Sequence, residues 1–519
     1  MNKEGDTSSS SELTGQQIQR ALRRNIIAGM FGITFWWTIS PNVTQLFALR
    51  LGAGDFEVAI LSAIVLLTFP AQILSSYFAE KYNSRKPLWL ITAFIARSLW
   101  IPVIIMPVVF RDYSAHFKIM YLMIFYFIYN IVINLTVAPW FSWISDLVPK
   151  ERSGHFWGHR YGYLSLSSVI ILILIGLFLD WKLFPKDSLN PFIYIISFGI
   201  FAGYVDVYLH RKIPEPQMDK GEGTKSLGKL LTEPWHDRQF RSFVFTLTYY
   251  TVVLSLHRSF FVVFMKKYLL MTNLQIMLLS VVSLVGSLMV SRMWGFLSDH
   301  FGVKSVLVLL FLGHSLLPLV FFFMFDTIEP LVRFVILCIA CFIDYCFMAG
   351  TLVINHSFFG SSLPRQNRSM YVALFYSILG LCSAAAPPIG NSIMRLFDHV
   401  HLSLNGTPLT SYHLLFGLGF FLTITTSFFA TRMPGEWSKP PHHIIAESLS
   451  GRVFTISRRL YILAQSDNEE ERLESLDVIE KTGSPLAIKG LKKHLEDPNE
   501  RIRTKTKKII DTFQNGKGV

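Results

Sequence analysis

Long apolar runs alternate with short polar segments through most of the 519 residues. The runs fall near 25–47, 56–78, 88–109, 117–143, 157–180, 191–209, 241–265, 273–296, 304–325, 330–358, 369–395 and 412–430. Each is close to the roughly 20 residues that cross a hydrocarbon core of about 30 Å as a helix. Alternation of period two, which a barrel strand requires, is absent. In lipid the backbone must satisfy its own hydrogen bonds, so apolar runs of this length predict helices. The expectation is an all-α polytopic membrane protein of about twelve spans.

Composition supports this: 51% of residues are hydrophobic and 16% charged, too apolar for an ordinary soluble enzyme of this length. The net charge of +13 raises nucleic acid as a partner, but the basic residues follow the loops instead. Arg20, Arg23 and Arg24 precede the first run, Lys81, Arg85 and Lys86 follow the second, and Lys150 and Arg152 follow the fourth. A further basic set, Arg211 to Arg238, follows the sixth. The intervening loops carry few. This bias places both termini in the cytoplasm and assigns the excess charge to topology and anionic lipid. The polar first 24 residues contain no cleavable signal peptide. Cys338, Cys341, Cys346 and Cys382 lie within apolar runs, with no second pair to complete a zinc site. His442 and His443 form an isolated pair, and no nucleophile–base or metal cluster is visible. Neither an enzyme nor a bound cofactor or metal is expected. No G-x-x-x-x-G-K-[ST] occurs, so ATP is not the driver.

Two loops recur. GFLSDHFGVK (295–304) and SYFAEKYNSR (76–85) align with Glu80, Tyr82, Arg85 and Leu88 on Asp299, Phe301, Lys304 and Leu307, a shift of 219. Pro149 and Arg152 of SDLVPKERSGHFWG correspond to Pro364 and Arg368 of SSLPRQNRSMYVA, shifted by 215 and 216. Near-equal offsets indicate a duplication of six spans. The expected division is a cytoplasmic segment 1–24, bundles at 25–209 and 239–431 joined by a polar linker 210–238, and a soluble tail 432–519. In the tail, 29 of 88 residues are charged. Helices are expected over 469–481 and 486–495, with Gly483-Ser484-Pro485 between them, and a third starting at Asp497 as N-cap with Pro498 at N1. These look like HEAT-type units. About one and a half such units cannot bury their apolar faces alone, so the tail is expected to dock on the cytoplasmic loops, on its own preceding helix, or on a partner protein.

The span number, the duplication and the motif GFLSDHFGVK together resemble the major facilitator superfamily over about residues 20–432. Gly295, Leu297, Asp299 and Gly302 match its G-x-L-x-D-R-x-G-R-[RK] pattern, while His300 and Val303 depart from it. In the first copy Glu80 and Asn83 replace Asp and Gly. The loop at 144–160 looks like the equivalent loop of bacterial members, which suggests a bacterial inner membrane. The resemblance implies two bundles rocking about a mid-membrane site, lined by spans 1, 4, 7 and 10. Free N–H groups and partial positive charge at cytoplasmic helix N-termini suit Asp299 and Glu80. With Arg368 and Arg152 as partners and Gly302 allowing the turn, they form a candidate cytoplasmic gate.

Ionisable groups at bilayer depth are expensive and point to function. Asp344, read as a lone carboxylate near the middle of span 10, is the leading candidate for solute or proton binding. Arg258 is placed to pair with it or with an anionic group, and His257 is its neighbour. Asn130 and Asn134 share a face of span 4; Trp36 and Gln45 in span 1 and Tyr250 in span 7 complete the candidates. Such polar groups are also ordinary interhelical glue. Arg97 is central in span 3, which the resemblance makes peripheral, so a structural ion pair is expected there. Two functions follow: a secondary transporter of a small solute, with a proton as candidate coupling ion in symport or antiport, or a non-transporting membrane sensor or scaffold signalling through the tail.

Overall fold

A computed structural model describes residues 15–81, 84–149, 153–185, 187–216, 232–361, 368–404, 406–434, 452–466 and 468–514. Side chains at 80–81, 153–155, 158, 291–292, 299–300, 356–357, 360–361, 368–370, 485 and 514 lie outside that description. The chain is nearly all helix. The described residues hold 12 helical segments long and apolar enough to cross a membrane: Gly15–Arg50, Asp55–Ala79, Lys86–Val109, Ala115–Leu147, His159–Leu179, Asn190–Arg211, Arg238–Lys267, Asn273–Val290, Phe301–Phe322, Pro330–Asn355, Tyr371–Phe397 and Ser411–Thr431. They are called spans 1 to 12. Ile91, Phe141 and Leu331 are each more than half exposed, as lipid-facing positions require.

The chain forms two compact units, 1–227 with 265–278, and 228–264 with 279–519. In the first, span 1 breaks between Thr38 and Pro41, where proline removes a backbone donor. Arg85, 1% exposed, ties the end of the span 2–3 loop to span 4 through Ser142 and Asp146, and to the chain after span 6 through the Pro216 carbonyl. Its own backbone N–H donates to Glu215 at 2.7 Å, and Trp143 Nε1 donates to the Pro214 carbonyl at 2.8 Å. The segment 265–278 belongs to this unit as well. Asp180 accepts from the backbone N–H groups of Asn273 and Leu274 and from the Asn273 amide, and Lys267 pairs with Asp55 at 2.7 Å.

Spans 8 and 9 run as one helical stretch, Asn273–His314, which belongs to the second unit from Leu279 onward and is interrupted at Gly302. There φ is 78° and ψ 156°, a region open essentially to glycine alone. The turn expected at Gly302 is therefore present. The other proposed gate groups, Glu80, Arg152, Asp299 and Arg368, fall outside the described side chains.

The tail holds helices Arg452–Gln465, Glu469–Thr482 and Glu500–Gln514. Two expectations need correction. The second expected helix is instead three short pieces, Pro485–Ala487, Ile488–Leu491 and Lys492–His494, alternating 3-10 and α geometry. Gly490, a poor helix former, sits in the middle of it, where a Cβ would meet Leu460 at 2.5 Å. Nor is Asp497 the N-cap of the last helix. Asn499 Oδ1 accepts from the N–H groups of Arg501 and Ile502, while Asp497 is drawn into an ion pair with Arg472.

Candidate functional site

Each unit buries an arginine, an aspartate and a histidine together. In the second unit Arg258 ends the helix Arg238–Arg258, just before a break at Ser259, and His314 ends the helix before a break at Ser315. Both basic side chains thus lie at helix C-termini, where partial negative charge favours a cation. Asp344 faces them from span 10. Arg258 Nη2 donates to Asp344 Oδ1 at 2.5 Å, and His314 Nδ1 lies 3.0 Å from the same oxygen. Asp344 is 1% exposed and His314 0%. The expected Arg258–Asp344 pair forms, but Asp344 is not the lone carboxylate expected: the sequence reading missed His314. Asp344 Oδ2 and Arg258 Nε are buried with no hydrogen-bond partner among the described residues. The cluster therefore keeps one acceptor and one donor unused. Gly313 lets span 10 approach closely, since a Cβ there would meet the Phe347 ring at 2.5 Å.

In the first unit, Arg97 Nη2 donates to Asp206 Oδ2 at 2.7 Å, and His210 Nδ1 lies 2.9 Å from Oδ1. Arg97 and Asp206 are 5% and 3% exposed. The expected structural pairing of Arg97 thus has a partner, Asp206 of span 6. Here both ring nitrogens of the histidine are held, although Arg97 Nε is itself buried with no hydrogen-bond partner among the described residues. Trp140 Nε1 donates to His210 Nε2 at 3.0 Å, and the Asn25 amide nitrogen lies 3.2 Å from the same atom. Arg160 Nε donates to Asn25 Oδ1 at 3.0 Å. Arginine and indole nitrogens only donate. Arg160 therefore fixes the Asn25 amide, and Trp140 and Asn25 both require a lone pair on Nε2. His210 is neutral, with its proton on Nδ1 facing Asp206. His314 carries no such lock. Its Nδ1 lies 3.0 Å from Asp344 Oδ1 and 3.3 Å from Arg258 Nη2, so an acceptor and a donor both face it and neither fixes the tautomer, and its Nε2 has only the Thr351 hydroxyl, at 3.5 Å, which has the Phe347 carbonyl as a second acceptor.

The remaining candidates divide. Tyr250 joins the second cluster, its ring stacked on Phe311 at 4.4 Å and 5.4 Å from the His314 ring. His257 does not: its ring packs against Gly419 and Phe261. Asn134 accepts from Gln72 at 2.7 Å and donates to Thr68 at 3.1 Å, and Asn130 donates to the Tyr126 carbonyl at 2.8 Å. Gln45 donates to Ser62 at 3.1 Å. Asn134 and Gln45 thus join neighbouring helices, whereas the Asn130 bond stays within its own helix. Trp36 is 44% exposed, edge-on to Trp37.

The profile of the Major Facilitator Superfamily matches residues 26–266 and 242–465. Among solved structures, a nucleoside transporter aligns with a TM-score of 0.61 at 11% identity, covering 80% of this chain and 100% of its own. A D-xylose–proton symporter aligns at 0.59 and 10%, covering 82% and 99%. A bacterial homologue of the iron transporter ferroportin aligns at 0.58 and 14%, covering 81% and 99%. No curated protein matches in sequence. At such identities the likeness is one of fold.

Proposed function

The chain belongs to the major facilitator superfamily, an integral multi-pass membrane protein and a transporter rather than an enzyme, and from that premise we propose its working site and coupling. It carries a small solute by alternating access, with Arg258, Asp344 and His314 as the solute and proton site. The carrying observation is the contrast between the two clusters. The Arg97–Asp206–His210 network is closed at His210 and serves as an anchor. The Arg258–Asp344–His314 cluster leaves Asp344 Oδ2 without a partner among the described residues and gives His314 Nε2 only the Thr351 hydroxyl at 3.5 Å.

The coupling follows from charge. With His314 neutral, Arg258 and Asp344 cancel. A second ring proton on His314 makes it a second cation sharing Asp344 Oδ1. Proton uptake therefore accompanies release of the Arg258 guanidinium, which is 17% exposed, toward an acceptor group on the solute. The unused donor and acceptor suit a solute rich in hydroxyls. Two of the structural neighbours are named for a nucleoside and a pentose, so uridine and D-xylose are the first probes. We assign both termini to the cytoplasm from the charge bias, and the bacterial inner membrane from the likeness of the loop at 144–160.

The test is flux into proteoliposomes across a panel of labelled sugars, nucleosides and organic anions, with and without a pH gradient. Gradient-driven accumulation that Asp344→Asn abolishes is expected. A protein that moves nothing on the panel, or a variant that accumulates as wild type does, overturns the proposal. The sensor reading draws on the packing of Phe296, in the helix beyond span 8, against the tail core; removing residues after 440 leaves flux in a transporter and nothing to measure in a sensor.

A further inference from the structure

The tail packs an apolar core of its own that also reaches beyond the tail. Its core of Ile456, Leu463, Leu476, Ile510 and Phe513 takes in one side chain from outside the tail, Phe296 of the helix that carries span 8. Phe296 lies inside GFLSDHFGVK, next to Gly295. Two residues before it, Trp294 is 3% exposed and donates its indole N–H to the Cys346 carbonyl at 2.7 Å. Cys346 is two residues from Asp344 on span 10. The Trp294 ring lies 5.9 Å from that of Phe347, and Phe347 lies edge-on to His314 at 6.2 Å. Contiguous packing therefore runs from the tail core through the helix beyond span 8 to the Arg258–Asp344–His314 cluster. Interiors this dense shift between discrete packings rather than deform smoothly.

We propose that the tail is a cytoplasmic clamp that closes its core on Phe296, and that its docking is coupled through Trp294 to the Arg258–Asp344–His314 cluster. The partner that the tail's core takes in is thus a segment of this same chain. The docked tail goes with the bridged cluster, in which Asp344 holds both Arg258 and His314. Breaking that bridge repacks Phe347 and Trp294 and loosens the clamp. By linkage, loosening the clamp favours the unbridged cluster by the same factor. The coupling rests on reading the cluster as the working site, whereas the clamp itself rests only on the Phe296 contact.

Hydrogen–deuterium exchange of the full chain in nanodiscs tests both, with no solute present. Phe296→Ala raises amide exchange across Arg452–Gln514 about tenfold, whereas Phe296→Leu, which still fills the core, stays near wild type. Asp344→Asn raises exchange of the same helices several-fold. Trp294→Phe, which keeps a ring but removes the N–H, abolishes that response. Unchanged tail protection in Phe296→Ala overturns the clamp. Unchanged tail protection in Asp344→Asn overturns the coupling. Flux does not enter the measurement, so a protein that moves no solute overturns the transport proposal alone.

Discussion

Replacing Asp206 by asparagine isolates what the closed cluster does. The carboxylate is 3% exposed and holds Arg97 at 2.7 Å and His210 at 2.9 Å. Asparagine keeps the volume but removes the charge, leaving the guanidinium of Arg97 buried without a counter-ion. Breaking a buried pair from one side costs about 3–5 kcal/mol. The new amide can accept through only one oxygen, so its NH2 faces a donor on one side or the other, and a buried donor left unpaired adds to that cost. At roughly 2–4 °C per kcal/mol for a domain of this size, the loss is about 10 °C. Melting is followed as the monodisperse fraction surviving a temperature series in detergent, read by size exclusion. The double variant Arg97→Met, Asp206→Leu removes both charges and recovers most of the loss, because apolar residues in place of a buried pair are often neutral or stabilising. Asp344→Asn loses less, since Arg258 is partly exposed, at 17% against 6% for Arg97, and can turn toward water. An Asp206→Asn protein that melts within about 2 °C of wild type refutes the anchor. So does a double variant as unstable as the single one.

Two further outcomes follow from named geometry. Gly302→Ala forces a side chain into a backbone region that costs about 1–3 kcal/mol; the same thermal series should fall by several degrees, and an unchanged midpoint removes the claim that the turn needs glycine. In the tail, burial pushes His494 below its ordinary value despite Asp497 beside it. Burial raises Asp497, but hydrogen bonds from Arg472, the Asn499 N–H and His494 outweigh it and hold the carboxyl low. For His494 the unfolded tail binds the proton first, so stability is lost as pH falls through about 6.5. The Asp497 contribution is present above about 3.9 and is lost only as pH falls below that, through its lower folded value. Exchange protection of the tail, corrected for intrinsic rates, should therefore drop between pH 7.5 and 5 in wild type and stay level in His494→Gln; equal slopes in the two proteins sink the assignment.

Periodicity made the spans legible because lipid imposes one rule on every residue of a span. The break at Pro41 and the turn at Gly302 were legible too, since each follows from a single residue's backbone chemistry. The clusters were only half visible. Arg97, Arg258 and Asp344 stand out as charges in apolar runs, but Asp206 and His210 sit in YVDVYLHR at the end of span 6, where polar residues pass as a boundary, and His314 in LGHSLL passes as an isolated histidine. The duplication offered no help. The two arginines differ by 258 − 97 = 161 positions, the aspartates by 344 − 206 = 138 and the histidines by 314 − 210 = 104, none near the 219 of the recurring loop. The same three residue types meet in each unit from differently placed helices, so no single offset connects them. What separates an anchor from a working site is harder still to read from sequence. The difference lies in whether a second histidine nitrogen is already claimed, and at His210 that depends on Asn25, Trp140 and Arg160, which come from three other spans. Spacing along the chain specifies faces and ends of helices. The protonation state of a buried imidazole is specified by which donors three other helices bring to one atom.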